Sequence, residues 1–479
     1  MHAPSSMFSV RLLLAFLAIL AAYVYQKSCI WLSTSKQLEQ EVLAAWENII
    51  RVPAKRYSRI SIGVNSNVDL VVNGTALLHH LKVQPGGLRD HPMPRTLDEL
   101  QELFHLSFSR GIAIERYFAN PDLFLEIVQG ATELVQVEWS VGGNAALMAQ
   151  KIAGGFHGTE VELVGPIGTR LKDMLNPKIG IPPYSVMPDD EVHLIMEFRA
   201  GEQWGESRAP VATRCIISSD IFNSHLSHLE AFYSSHAKFR PELIILSGLH
   251  LLEAIDEEKR RDRITRTVRQ LKLVKDTPMH LELASMADPE FVAVILDQVI
   301  PKMNAIGLNE QEMAFASFAG GGPHFDLREE KAQPPVHKVT DIMVWMLKKY
   351  GHSVHREDSK LTRIHFHSLT YHIIAVVPGF WFNIKSAVSE GARTAGRQAC
   401  EDHDPSLFTF RMPLNFKLSS HLPEEVHFNA SQPVIEFDIQ GYNFYLSPVL
   451  VCDSPVKTVG LGDAISSAAL LYSYYGPTA

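Results

Sequence analysis

A lone carboxylate stands behind two glycines near the C-terminus, in the run Thr458-Val459-Gly460-Leu461-Gly462-Asp463, and a small-residue helical pattern follows it. Two glycines let the main chain come close to a ligand. The helix behind them offers free N–H groups and a positive dipole end. That combination suits a phosphate or another developing anion. Asp463 then has two readings. It caps the helix, the commonest work of Asp at such a place, or it accepts a proton from a nucleophile beside the bound phosphate.

Further polar residues fall at the ends of strand-like segments. In Gly-Leu-Asn309-Glu-Gln-Glu312 an amide and a carboxylate three apart suit a hydrated magnesium ion beside phosphates; the alternative is that the acids only open a solvated helix. His280 and Glu282 share one face of a strand. Magnesium prefers oxygen, so Glu282 is the metal-side partner, acting through water, and no His or Cys set is spaced for zinc. Gly142 and Gly143 let main chain approach a polar ligand, with Asn144 adding a donor and an acceptor. In Asn65-Ser-Asn67-Val-Asp69 the aspartate suits paired sugar hydroxyls, or the segment is a turn. Arg214 lies inside a strand pattern from which it can reach a phosphate. His365, His367 and His372 read mostly as core-lining or rim histidines; the alternative is that His365 or His367 touches a nucleotide. There is no G-x-x-x-x-G-K-[ST] loop and no G-x-G-x-x-G after a strand, which argues against P-loop nucleotidases and dinucleotide folds.

The elements that must position these groups are legible in the apolar pattern. Strands are expected at 161–165, 191–198, 213–218, 242–248, 279–285, 305–310 and 372–378, and helices at 37–50, 257–275 and 341–350. Short apolar strands alternating with helices predict a parallel sheet covered on both faces, with ligands at the carboxyl ends of its strands. The more polar stretches near 191–218 predict an antiparallel patch. Residues 319–338, rich in Gly, Pro and charge, read as a loop.

The 479 residues are 46% hydrophobic and 20% charged, ordinary globular composition. With 44 Lys+Arg against 53 Asp+Glu the net charge is −9, a poor balance for a nucleic-acid binder, so no nucleic-acid partner is expected. Arg11 precedes an apolar run from Leu12 to Tyr25. Residues 1–35 therefore read as a signal peptide or an uncleaved anchor, leaving 36–479 as the working region in the secretory pathway, lumenal, anchored in the endoplasmic reticulum membrane, or secreted. Sequons at Asn73 and Asn429 agree with that route. Among four cysteines, Cys400 and Cys452 are favoured as a disulfide because both lie near the glycine turn; free buried thiols are the alternative.

Five motifs, those around Asn67–Asp69, Gly142–Asn144, His280–Glu282, Asn309–Glu312 and Gly460–Asp463, together resemble the ADP-dependent glucokinase and phosphofructokinase family of the ribokinase-like fold, in matching order over nearly the whole chain after the leader. The resemblance implies a large three-layer α/β/α domain with a mostly parallel central sheet, plus a smaller β-rich lid from about 64–120 and 188–218. It implies transfer of the β-phosphoryl group of ADP to the 6-hydroxyl of D-glucose, giving AMP and glucose 6-phosphate, by a monomer. Asp463 would be the base, and Gly460, Leu461 and Gly462 the anion hole. Asn67, Asp69, Gly142, Gly143 and Asn144 would face the sugar, although Asn144 replaces a glutamine common in archaeal relatives. Glu115, in Gly-Ile-Ala-Ile-Glu115, would select glucose over fructose 6-phosphate. Arg214, Thr458, Val459 and His365 would meet the nucleotide. One magnesium ion bridging the ADP phosphates would be served by Glu282, Asn309, Glu312 and Asp463. ADP rather than ATP as donor comes from the resemblance alone. An ATP-dependent ribokinase-like sugar kinase and a non-catalytic, membrane-anchored sugar-binding protein are the competing readings.

Overall fold

The computed structural model describes residues 36–329, 333–400, 405–453 and 460–477. The leader, Thr458 and Val459 lie outside the described residues.

Ten strands form the main sheet. In spatial order they are Ile435–Ile439, Tyr442–Pro448, Tyr371–Val376, Arg363–His367, Ala305–Leu308, Met279–Glu282, Leu243–Leu246, Arg59–Gly63, Glu160–Val164 and Ile179–Gly180. From Arg363–His367 to Ile179–Gly180 every pairing is parallel. The other three strands add antiparallel. The inner strands are continuous apolar runs because both their faces are covered. Ile244 and Leu246 face one core, while Leu243 and Ile245 face the other. Helices Leu229–Phe239, Glu257–Leu273, Glu310–Gly320 and Val336–Tyr350 cover the first side, and Asn144–Gly155, Ile384–Cys400 and Leu461–Leu471 the second. This is the expected three-layer α/β/α unit.

A second sheet of five strands runs Ile114–Tyr117, Thr213–Ser218, Val192–Phe198, Asn67–Asn73, Val137–Gly142. Its chain segments reach beyond those expected, since Val137–Gly142 pairs antiparallel with Asn67–Asn73. One face, with Leu70, Val72, Leu194, Met196, Cys215 and Ile217, packs into a core of its own with helix Leu97–Arg110. Strand alternation turns Asn67, Asp69, Glu115, His193 and Arg214 to the opposite face. The segment 59–73 divides between the two sheets: Arg59–Gly63 enters the main sheet, and after three residues Asn67–Asn73 enters the small one. The polar face of the small sheet is thereby tethered at the carboxyl end of a central strand of the large one.

Candidate active site

Helix Leu461–Leu471 begins at Gly460, whose φ is +69°, and among the described residues no side chain caps it. A residue other than glycine would be strained in that left-handed conformation, and its Cβ would lie 3.0 Å from Leu147 Cδ2. A glycine at the cap position offers the first-turn amides no side-chain acceptor of its own, and they carry the positive end of the helix dipole. Asp463 is the third helical residue and so is not the cap. Its buried carboxylate instead receives Asn144 Nδ2 at 3.0 Å. Burial pushes its pKa up to about 7, and the nearby charge of Glu282 pushes the same way. A carboxyl poised there exchanges protons near neutrality.

Glu282, at the end of its strand, is buried but fully bonded. Its Oε2 accepts from His280 Nε2 at 2.9 Å, and its Oε1 from Ser466 Oγ at 2.9 Å and His367 Nε2 at 3.3 Å. Burial works to raise its pKa; hydrogen bonds from His280 and His367 outweigh that and hold it at about 2. Asn309 and Glu312 form a capping box at the start of helix Glu310–Gly320. Asn309 Oδ1 accepts the amides of Gln311 and Glu312, and Glu312 Oε2 accepts the amide of Asn309 at 2.9 Å. Enclosure raises Glu312 to about 8, and Glu282 contributes to the shift. The charge of Glu282 thus lifts both Asp463 and Glu312, so three acids share one electrostatic neighbourhood. Among the described residues no group of three His, Cys, Asp or Glu side chains stands as a ready ligand shell.

On the small sheet Asn67 Nδ2 donates to Asp69 Oδ1 at 2.8 Å, and both side chains are buried. Gly142 permits this pair, since a Cβ there would sit 2.0 Å from Asp69 Oδ1 and 2.3 Å from Asn67 Nδ2. Gly143, at φ +82°, starts helix Asn144–Gly155 against the Ser66 backbone. Burial raises Asp69 to about 6, against the opposing field of His193 and the Asn67 hydrogen bond. His193 itself is held up at about 10 although burial pushes it down, because Asp220 accepts from its Nε2 at 2.8 Å. Glu115 is more exposed and stands 4.0 Å from His193 Nδ1. Arg214 pairs in register with Glu197 on the same sheet face, and its charge reaches Asp69.

The two halves meet at Asn144, whose Nδ2 donates to Asp463 and whose Oδ1 accepts from Asn65 Nδ2 at 3.2 Å. Asn65 Oδ1 in turn accepts from the amide of Ala145 and from Ser247 Oγ. The segment expected to meet a polar ligand is therefore hydrogen-bonded to the expected base.

One expectation needs correction. His365 is fully buried, among the described residues neither ring nitrogen has a hydrogen-bond partner, and its ring lies 5.5 Å from those of both His367 and His372. Strand alternation drives it under helix Ile384–Cys400, near Gly391, where a nucleotide has no access to it. Its neighbour on the same face, His367, is the imidazole that reaches the acids. His193 and Ser466 were missed. The alternation of Glu191-Val-His193-Leu-Ile-Met marked His193 as a polar residue opposite the core face, and Ser466 lies one helical turn after Asp463. Away from the cleft, Cys400 and Cys452 are joined with Cα atoms 5.6 Å apart. Asn73 caps helix Gly74–His80 and donates to Glu202, whereas Asn429 is exposed and accepts from Ser431 Oγ.

Residues 58–472 match the family model described as the ADP-specific phosphofructokinase/glucokinase conserved region. The chain is 42% identical over 444 residues to the ADP-dependent glucokinase of Bos taurus, covering 92% of this chain and 89% of that one. It is 36% identical over 453 residues to a Caenorhabditis elegans protein named "Probable ADP-dependent glucokinase", covering 92% and 90%. Among solved structures, an ADP-dependent kinase in complex with fructose-6-phosphate and ADPβS superposes with a TM-score of 0.63 over 91% of this chain and 97% of that one. At 18% identity that likeness speaks for the fold.

Proposed function

We propose that this chain, which belongs to the ADP-specific phosphofructokinase/glucokinase family, transfers the terminal phosphoryl group of ADP to the 6-hydroxyl of glucose, leaving AMP and glucose 6-phosphate. The observation that carries the reading is the junction at Asp463: a buried carboxylate in the first turn of a helix without a side-chain cap, hydrogen-bonded to Asn144 of the sugar segment. Phosphoryl transfer asks a protein chiefly for positioning and charge stabilisation. Asp463 accepts the proton of the attacking hydroxyl, and the amides at Gly460, Leu461 and Gly462 receive the oxygens of the moving group. Asn67, Asp69, Gly142, Gly143 and Asn144 hold the sugar, Glu115 selects it, and Arg214 meets the nucleotide phosphates.

A magnesium ion would be held by Glu282, Asn309, Glu312 and Asp463, the first three acting largely through its water shell because their polar atoms already have partners. The residues fit such an ion: the charge of Glu282 raises the proton affinity of both Asp463 and Glu312, a crowding of acids that a cation relieves. Bound there, the ion neutralises charge on the phosphates. Closure of the small sheet over the large one excludes water and limits ADP hydrolysis. The enzyme is a monomer of the secretory pathway, held in the endoplasmic reticulum lumen or by its N-terminal segment, and Asn429 is the more accessible of its two sequons.

The test is a donor and acceptor panel on the purified protein: ADP and ATP, each with glucose, fructose 6-phosphate and ribose, in magnesium. AMP and glucose 6-phosphate from ADP and glucose are expected. Comparable turnover with ATP, or preference for another acceptor, overturns the reading.

A further inference from the structure

Glu282 sits on a strand, whereas Asp463 sits on the helix that covers that strand. Something must fix the two acids relative to each other. Ser466 follows Asp463 by one turn, on the same helix face, and is wholly buried. Its hydroxyl donates to Glu282 Oε1 at 2.9 Å. His367, on the same face of the sheet two strands away, reaches the same oxygen with Nε2 at 3.3 Å. An ionised carboxylate only accepts, so this nitrogen carries the proton. The imidazole also lies against the anion hole: a Cβ on Gly462 would stand 3.2 Å from His367 Cε1. Gly307 completes the arrangement by leaving room, since a Cβ there would come within 2.2 Å of Glu282 Oε2 and 2.9 Å of Ser466 Oγ.

We propose that Ser466 and His367 are positioning residues that lock the Glu282 carboxylate to the helix carrying the base and the anion hole, and so set the affinity for the divalent cation. The inference rests on the reading of Glu282 as a metal-side group. A serine in a small-residue helix is ordinarily a packing residue. What separates this one is its contact, a carboxylate on another element that also holds two imidazoles. Partners that orient a metal-binding carboxylate tune metal affinity.

Manganese(II) is the probe, titrated by electron paramagnetic resonance in the presence of ADP and absence of sugar. Glucose binding is followed separately by tryptophan fluorescence. Ser466→Ala is expected to weaken manganese binding about 10–100-fold, the usual effect of removing such a partner, with glucose affinity unchanged. His367→Gln, which keeps a donor, is expected to fall between Ser466→Ala and the native protein, and it decides by the same criteria if Ser466→Ala does not fold. Glu282→Gln separates the two layers of the argument. If it weakens manganese binding while Ser466→Ala does not, the positioning role is wrong and the metal reading stands. If Glu282→Gln leaves manganese binding unchanged, both fail. Equal loss of manganese and glucose affinity in Ser466→Ala means general loosening and also overturns the proposal.

Discussion

At the scale of single residues, environment divides labour among chemically similar acids. Glu282 is bonded on both oxygens and stays ionised at about 2, while Asp463, with one amide donor and a buried setting, rises to about 7. The first is suited to constant charge and the second to proton exchange. Asp463→Ala is expected to lower kcat about 10²–10⁴-fold, the span typical of a general base, with glucose binding retained. In the native protein kcat/KM should rise with pH through about 7 as Asp463 ionises; a flat profile measured across that range speaks against the role. Stability runs the other way. A carboxyl raised from 3.8 to about 7 makes its full contribution below the lower value, and that contribution is lost as pH rises through the upper one. Without divalent cation, Asp463→Asn should therefore melt higher than the native protein near pH 8, with the gap narrowing toward about pH 5.

Elements translate these residues into a site, and glycine marks where they must touch. Gly142 lets the strand Val137–Gly142 pair with Asn67–Asn73 while Asn67 and Asp69 point between them. In Gly142→Ala the new methyl occupies the space of the Asp69 carboxylate. Glucose affinity by calorimetry should collapse, while AMP binding, made on the other element, should persist; a parallel loss of both would deny that the small sheet holds the sugar. The helix Leu461–Leu471 depends on Gly460 in the same way. Its left-handed turn costs a residue with a side chain on the order of 1 kcal/mol, enough for Gly460→Ala to show in thermal unfolding alongside weaker ADP binding.

Over the whole molecule, two sheets with separate cores are joined near the carboxyl ends of the main-sheet strands, where Asn65, Asn144 and Ser247 hydrogen-bond. The closure proposed above requires a hinge at that seam, where movement would disturb neither core. The C-terminal part is pinned by Cys400–Cys452, which closes a separation of 52 residues. Loop-closure entropy gives such a bridge about 4 kcal/mol, so Cys452→Ser should unfold at clearly lower denaturant concentration, with reduced native protein behaving alike. Small-angle scattering should show contraction when glucose is added, and an unchanged profile would count against closure.

Much of this was legible along the chain because it depends on local pattern. Apolar runs of four to six residues placed the inner strands, as in Leu243–Leu246 and Ala305–Leu308, since a strand buried on both faces needs apolar residues throughout. The glycine pair before Asp463 announced a helix N-terminus open to an anion, because no other residue tolerates that turn so readily. Pairing across distance was not legible. Nothing local states that Asn144 donates to a carboxylate 319 positions away, that Ser466 holds Glu282, or that His365 turns inward while His367 reaches the acids. Sequence determined which groups stood ready at the ends of which elements. Only the tertiary structure decided which of them share a neighbourhood, because burial and charge, which set their protonation and their partners, belong to the packed whole.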